Sequence, residues 1–329
     1  LDEQNNQVPI QKTKNGICIY VQIPPLSFST FKIEKATKIK IVKDQNLMLE
    51  NNFIKYKFNK NGNLISAYDK EIKKQLMEKP GNILSLYEDR PNNWDAWDID
   101  FFYRDMLLEN ASVNNFSYDS SGPVKHSIDF KYSIGQSSIK QKISLDKNSK
   151  KLNFDTNVDW KESHKMLRVK FPLEVQSDSA SFDIQYGYVK RNTHRNTSWD
   201  KAKFEVVGHK YADLSNNDFG VALMNDCKYG YMVHDNVIDL NLLRAPKNPD
   251  PDADQGLHTF TYSLLPHTGD LINSNVIEAS TKLNQAPLMF DGFKTKISMP
   301  VSLKGENIEL SVLKKAEKNN DLIVRVYET

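Results

Sequence analysis

No apolar run in this 329-residue chain approaches the roughly eighteen residues that a bilayer-crossing helix needs, which leaves no segment to span a membrane that way. Charge of one sign is equally scarce. Forty-four basic residues face 42 acidic ones, a net charge of +2, so charge calls for neither nucleic acid nor an acidic membrane as a partner. Cysteine is nearly absent: Cys18 and Cys227 stand alone, without a CxxC pair, which argues against a disulfide framework and a cysteine-rich metal site. The seven histidines form no H-E-x-x-H motif and no close pair. The polar opening from Leu1 lacks the pattern of a signal peptide. A reducing, cytoplasmic setting is the expectation.

What the chain does contain is alternation. Ile54, Tyr56 and Phe58 alternate with Lys55, Lys57 and Asn59, and Asn61-Gly62 then predicts a tight type I′ hairpin turn before a returning strand over residues 64–68. Leu152, Phe154, Thr156, Val158 and Trp160 keep a strict period of two, too long for a helical reading. Similar patterns occur near residues 128–132, 139–145, 167–171, 182–186, 221–223, 231–233, 238–242 and 260–264. Two short strand-like pieces, 17–21 and 29–33, flank Pro24-Pro25 near the start. Many short strands with turns between them, and no convincing amphipathic helix, predict an all-β fold built on a sandwich.

One stretch interrupts the strands. Residues 244–258 hold Pro246, Pro249 and Pro251, which remove backbone donors and force an exposed excursion. The same loop concentrates Arg244, Asp250, Asp252, Asp254 and His258. A stiff loop rich in charge is a place for binding groups. Arg244 can fork onto a carboxylate or two hydroxyls, and Asp254 and His258 can exchange hydrogen bonds with a polyhydroxylated ligand. The alternative is that these charges pair with one another to tie the loop down. A second candidate is WDAWDID at 94–100: Trp94 and Trp97 offer stacking faces, and Asp95 offers an acceptor. Its alternative is an ordered loop whose indoles cover the sandwich. A third block, 193–206, presents Arg195, Asn196, Ser198 and Trp199 as interface contacts, or else forms a connecting loop held by its own polar side chains.

These blocks carry a resemblance. ALMNDCKYGY, LLRAP and PDPDADQGLHTFTYSLLPH, together with LYEDRPNNWDAWDID, RNTHRNTSWDKAKFEVVGHKYADLS and LKKAEKNNDLIVRVYE, resemble the carboxy-terminal part of glycoside hydrolase family 38, the retaining α-mannosidases, in their cytosolic and bacterial branch. Ordered matches over most of the chain are more specific than any short motif. The resemblance implies a large mutarotase-like β-sandwich (supersandwich) at 41–275, preceded at 1–40 by the end of a small linking β-domain and followed at 276–329 by an incomplete small β-domain. It implies a zinc ion and an aspartate nucleophile on an amino-terminal barrel that these residues do not include. The family's H-x-D zinc motif occurs at none of the seven histidines. The chain is therefore expected to hold no catalytic residue and no metal, to be inactive alone, and to furnish scaffold and part of the sugar-site wall, with Arg244, Asp254, His258, Trp97 and Asp95 as wall candidates. The implied partners are a mannose-containing oligosaccharide, the protein's own barrel and further copies in a homo-oligomer, with no nucleic acid and no membrane. A non-catalytic carbohydrate-binding or structural module is the other reading.

Overall fold

The fold was analysed in a computed structural model that describes residues 1–13, 16–24, 26–34, 46–292, 301–305 and 308–328. The boundary expected between 40 and 41 and Pro25 of the early turn lie outside those residues.

Strand alternation produces two facing sheets. Nine strands form the larger one, in the order Gly187–Asn192, Ser179–Ile184, Tyr211–Ser215, Phe219–Asn225, Gly256–Thr268, Leu152–Trp160, Ser137–Asp146, Lys125–Ile134 and Ser112–Ser121. Six form the other: Val206–Val207, Gly230–His234, Val237–Leu243, Lys165–Pro172, Ile83–Glu88 and Leu107–Asn110. All described pairings are antiparallel, which lets each strand commit one set of alternate residues to the core. Phe154 and Tyr262 stack within the larger sheet at 4.8 Å between ring centres, and Phe171 of the other sheet meets Phe154 at 5.7 Å. Among these apolar residues one polar ring is closed and buried. Asn82 Nδ2 donates to Gln141 Oε1 (2.9 Å), Gln141 Nε2 to the Tyr262 hydroxyl (2.7 Å), and that hydroxyl to Asn82 Oδ1 (2.7 Å). Every member has a partner, as burial of polar groups requires.

Four short strands, Met48–Glu50, Ile54–Phe58, Leu64–Asp69 and Lys74–Gln75, share the same core. The expected hairpin is there, but its turn is not type I′. Asn59 and Asn63 close a three-residue loop, and only Gly62 has positive φ (+72°). The reason is local. Asn59 Oδ1 accepts the backbone N–H groups of Asn61 and Asn63, which favours a right-handed turn ending on one left-handed residue.

There are three further departures. Residues 29–33, expected as a strand, are described without regular structure. Tyr186, expected to continue its strand, instead has φ +60° in the turn before Gly187–Asn192. Two short helices appear in a chain expected to have none. Ser198–Ala202 is set by a capping box between Thr197 and Asp200. Val276–Asn284 lays Val276, Ile277, Ala279 and Leu283 on Tyr211, Ala222, Met224 and Leu265, covering the outer face of the nine-stranded sheet. That cover explains why every residue of Phe219–Asn225 is buried, where sequence alternation suggests one wet face. At the carboxy-terminal end, Ile308–Lys315 and Leu322–Glu328 form a separate hairpin, touching the sandwich where Tyr327 meets Tyr186 edge-on at 5.2 Å.

Gly62 is held for two reasons at once, its φ and its space: a Cβ there would stand 2.1 Å from the Tyr132 hydroxyl. That hydroxyl is buried without a hydrogen-bond partner. Gly62→Ala should cost about 2–4 kcal/mol in urea unfolding, while Tyr132→Phe alone should be neutral or stabilising and should recover part of the loss in the double variant. Strict additivity of the two substitutions would refute the contact.

Candidate functional site

The site assembles on the outer face of the six-stranded sheet. Along Lys165–Pro172, Leu167, Val169 and Phe171 enter the core, so Met166 and Arg168 must point the other way. Arg168 is 1% exposed, and its Nε donates to Asp239 Oδ1 at 2.7 Å. Its Nη2 lies 3.0 Å from Glu205 Oε1, which also accepts the Tyr103 hydroxyl at 2.5 Å. Burial opposes the charge on Arg168, but the Asp239 and Glu205 carboxylates hold its pKa above the ordinary value. Burial also raises the Glu205 carboxyl, against the pull of Arg168 and Tyr103. This buried cluster fastens two remote segments, 99–105 and 204–205, to the sheet, with Tyr87, Met166, Ile99 and Phe204 packed around it.

Arg244 fastens a third. It leaves the end of Val237–Leu243, and its carbonyl accepts the indole N–H of fully buried Trp160 at 3.2 Å. Its guanidinium forks onto Asp89, Nε to Oδ2 at 2.6 Å and Nη2 to Oδ1 at 3.2 Å. Nη2 also donates to the carbonyls of Asp98 (2.8 Å) and Asp95 (3.2 Å). Burial lifts the Asp89 carboxyl above its ordinary range, and the guanidinium counteracts this. The fork expected to reach a sugar, or an acid of a barrel, is thus spent within the chain, because the bend of 89–98 brings one buried carboxylate and the three carbonyls of Asp95, Ala96 and Asp98 around a single arginine. Nor do the three loop aspartates pair with Arg244.

The other candidates are placed as follows. Asp95 Oδ2 accepts the backbone N–H groups of Lys247 (2.7 Å) and Asn248 (3.0 Å), and Oδ1 lies 3.4 Å from His164 Nδ1. Burial works against ionisation of Asp95, but these N–H groups, with His164 and Arg244, hold its pKa below the ordinary value. Asp95 therefore ties the proline loop to the tryptophan loop. Trp94 and Trp97 do not cover the sandwich: they are 71% and 69% exposed. Phe101 and Phe102 extend this surface, and Arg195 stands over the Phe101 ring at 5.7 Å, which joins the 193–206 block to it. Trp199 is 78% exposed on its short helix. Asp254 is exposed with φ +59°, and its carbonyl lies 2.8 Å from His258 Nε2. His258 itself sits on the Gly256–Thr268 strand, opposite Val158, and not within the loop.

Sequence reasoning missed Asp89, His164, Arg168, Asp239, Tyr103 and Glu205. Only Arg168 carried a signal, a charged residue inside a run that is otherwise apolar. The T-x-x-D spacing at 197–200 was a second readable signal, for the short helix.

Among the described residues no group of three or more His, Cys, Asp or Glu side chains is placed to hold a metal ion. Three of the histidines have separate partners: His267 faces buried Asp213, His164 faces Asp95 and His258 faces the Asp254 carbonyl. Cys227 is not an activated thiol. Partial burial and the adjoining Asp226 push the Cys227 thiol up to about 11, the wrong direction for a nucleophile at neutral pH. What the arrangement offers is a rigid, exposed aromatic face with carboxylates beside it.

Comparison with known proteins gives a family match and several relatives. The family described as "Glycosyl hydrolases family 38 C-terminal domain" matches residues 49–252. Alpha-mannosidase G of Dictyostelium discoideum is 35% identical over 350 residues, which covers 97% of this chain and 32% of that protein. Alpha-mannosidase 2C1 of Homo sapiens is 35% identical over 316 residues, 93% of this chain and 30% of that one. The chain thus spans about a third of the length of these curated relatives. A solved glycosyl hydrolase family 38 protein from Enterococcus faecalis shares the fold, with a TM-score of 0.74 over 98% of this chain and 44% of its own, at 18% identity.

Two outcomes follow from the ion pairs. Arg244→Ala strands the buried Asp89 carboxylate and should cost about 3–5 kcal/mol in urea unfolding, with Asp89→Asn added to it restoring part. A loss below about 1 kcal/mol would show that the pair does not hold the loops. For Asp95, a folded pKa below the unfolded one gives stability that is present above the unfolded value of 3.8 and lost as pH falls through the folded value. Asp95→Asn should therefore flatten the acid limb of a stability profile below about pH 4. An unchanged limb would place that sensitivity elsewhere.

Proposed function

This chain belongs to glycosyl hydrolase family 38 and carries its C-terminal domain, and on that footing we propose that it serves a longer α-mannosidase as scaffold and as one wall of the sugar site. The observation that supports the reading is convergence. Three segments remote in sequence, 89–105, 193–206 and 244–258, meet on one sheet face and leave Trp94, Trp97 and Phe101 exposed there. Exposed indoles held on an ion-paired platform suit the apolar face of a pyranose, and the exposed carboxylate of Asp98, whose Oδ1 accepts the Ile99 backbone N–H at 2.9 Å, suits its hydroxyls.

In this reading Arg244 and Asp95 are positioning residues. They shape the tryptophan loop and touch no sugar. Trp97 is the contact residue, and Asp254 and His258 lie at the margin. The chemistry belongs to a catalytic part outside this chain, which by the family resemblance is a barrel with zinc and an aspartate nucleophile, acting on α-linked mannose with retention of configuration. The exposed aromatic surface would then be shared between that barrel and a mannose-containing oligosaccharide, and the assembled protein would be a homo-oligomer. Two free cysteines and no described disulfide suit a cytoplasmic setting.

The test uses full-length protein that contains this chain. Trp97→Ala should lower kcat/KM on an aryl α-mannoside by about ten- to a hundredfold with Tm unmoved, since an indole that is 69% exposed contributes little packing. The 329-residue chain alone should show no turnover. Wild-type kcat/KM in the variant would overturn the wall assignment, and zinc-dependent turnover by the chain alone would overturn its division from the catalytic part.

A further inference from the structure

The outer face of the nine-stranded sheet is only partly covered by Val276–Asn284. Beyond that cover a cavity of about 310 Å³ opens between the edge strands and residues 270–272, within the lower range of small-ligand pockets. Period-two geometry builds its floor. Ala180, Phe182, Ala212 and Leu214 enter the core, so Ser179, Ser181 and Ser215 face outward together, and Lys190 lies opposite Ser181 in register. Gln176, Asn217 and Asp270 complete the rim.

The floor is supported from beneath. Asp213, fully buried, accepts the Ser215 hydroxyl on Oδ2 at 2.6 Å and has His267 Nε2 at 2.8 Å from Oδ1. Gly220 makes room for this trio: a Cβ there would stand 2.3 Å from Ser215 Cβ and 2.6 Å from His267 Cε1. With its proton committed to Asp213, the Ser215 oxygen is left to accept a hydrogen bond from the cavity. Other groups are left to serve a ligand too. Among the described residues, the Lys190 ammonium, the Tyr188 hydroxyl and the Gln176 and Asn217 amides have no side-chain hydrogen bond of their own.

The balance of these groups selects the ligand. Lys190 and Asp270 cancel in charge, so neither a phosphate nor a cation is favoured. Hydroxyls and amides supply donors and acceptors in mixture, and the Tyr188 ring, 36% exposed, adds one apolar face. We propose that this cavity is a second, non-catalytic binding site for one neutral hexose unit. It does not extend the aromatic surface. Gly256 pairs with Trp160 beside the arginine loop and His267 pairs with Gly220 beside the cavity, at opposite ends of a 13-residue strand. At about 3.4 Å per residue that places the two sites roughly 40 Å apart. A sugar held here belongs to a distant residue of an extended or branched carbohydrate, or to a separate molecule.

Saturation-transfer NMR on the 329-residue chain, with methyl α-mannoside as probe, reads the site directly. In a Trp97→Ala background, which removes the contact proposed for the aromatic face, the chain should still transfer magnetisation to the sugar, and adding Lys190→Ala or Ser181→Phe should each cut the signal at least fivefold. Should Ser181→Phe fold poorly, Lys190→Ala, which alters an exposed side chain, decides alone. Equal signals with and without Lys190→Ala in that background, or no transfer there at about 50 mM sugar, would each overturn the site. So would displacement of the sugar by inorganic phosphate but not by a second neutral hexoside, since the cavity would then be an anion site.

Discussion

The organisation of the exposed loops depends on one buried ion pair. Arg244 is held from below by the Trp160 indole on its carbonyl, and from the side by the Asp89 carboxylate on its guanidinium. An arginine fixed at both ends can orient what surrounds it. Its Nη2 also takes the carbonyls of Asp95 and Asp98 and its Nη1 that of Ala96, and so the guanidinium sets the bend on which Trp94 and Trp97 ride. A planar fork with five donors can satisfy a carboxylate and three carbonyls together, which a lysine cannot. The pair lies where the core ends, so the packing of Trp160 and the placement of the tryptophan loop are coupled through a single residue.

The two outer faces of the sandwich are put to different uses. On the six-stranded sheet, outward-pointing Arg168 and Asp239 are covered by Tyr103, Phe204 and Glu205, and a desolvated charge cluster takes the place of apolar packing. Such a cluster adds little stability beyond what apolar side chains would give. It does fix direction, because Arg168 accepts only an arrangement that brings Asp239 and Glu205 to it together. On the nine-stranded sheet, Ala222, Met224 and Leu265 are covered by the apolar side of a helix, and where that cover stops the hydroxyls of Ser181 and Ser215 line a cavity. The first device supports an exposed surface, and the second leaves a recess.

Much of the framework was readable from residues. Leu152–Trp160 is a strand because its alternate side chains, Thr156 excepted, are apolar, and a slip of one residue would turn Trp160 and Phe154 out to water. Pro246, Pro249 and Pro251 told of an excursion, and the hairpin at 59–63 was visible in Asn61-Gly62. Its turn type was not, because the Asn59 side chain chose it by accepting two backbone N–H groups. The helix Val276–Asn284 escaped because nine residues are too few to establish a period, and because its stability comes from the sheet under it.

By itself, then, the sequence determined many of the strand positions, the all-β class, the exposed loop and the family to which its blocks belong, since these rest on local pattern and on ordered motifs. Which charge meets which was decided only by the tertiary structure. Arg244 and Asp89 stand 155 positions apart, and Arg168 and Asp239 71 apart. No local rule links residues at such separations: the pairing arises when two sheets twist, pack and bring strand ends together, and low dielectric there makes an unpaired charge costly enough to fix the partner.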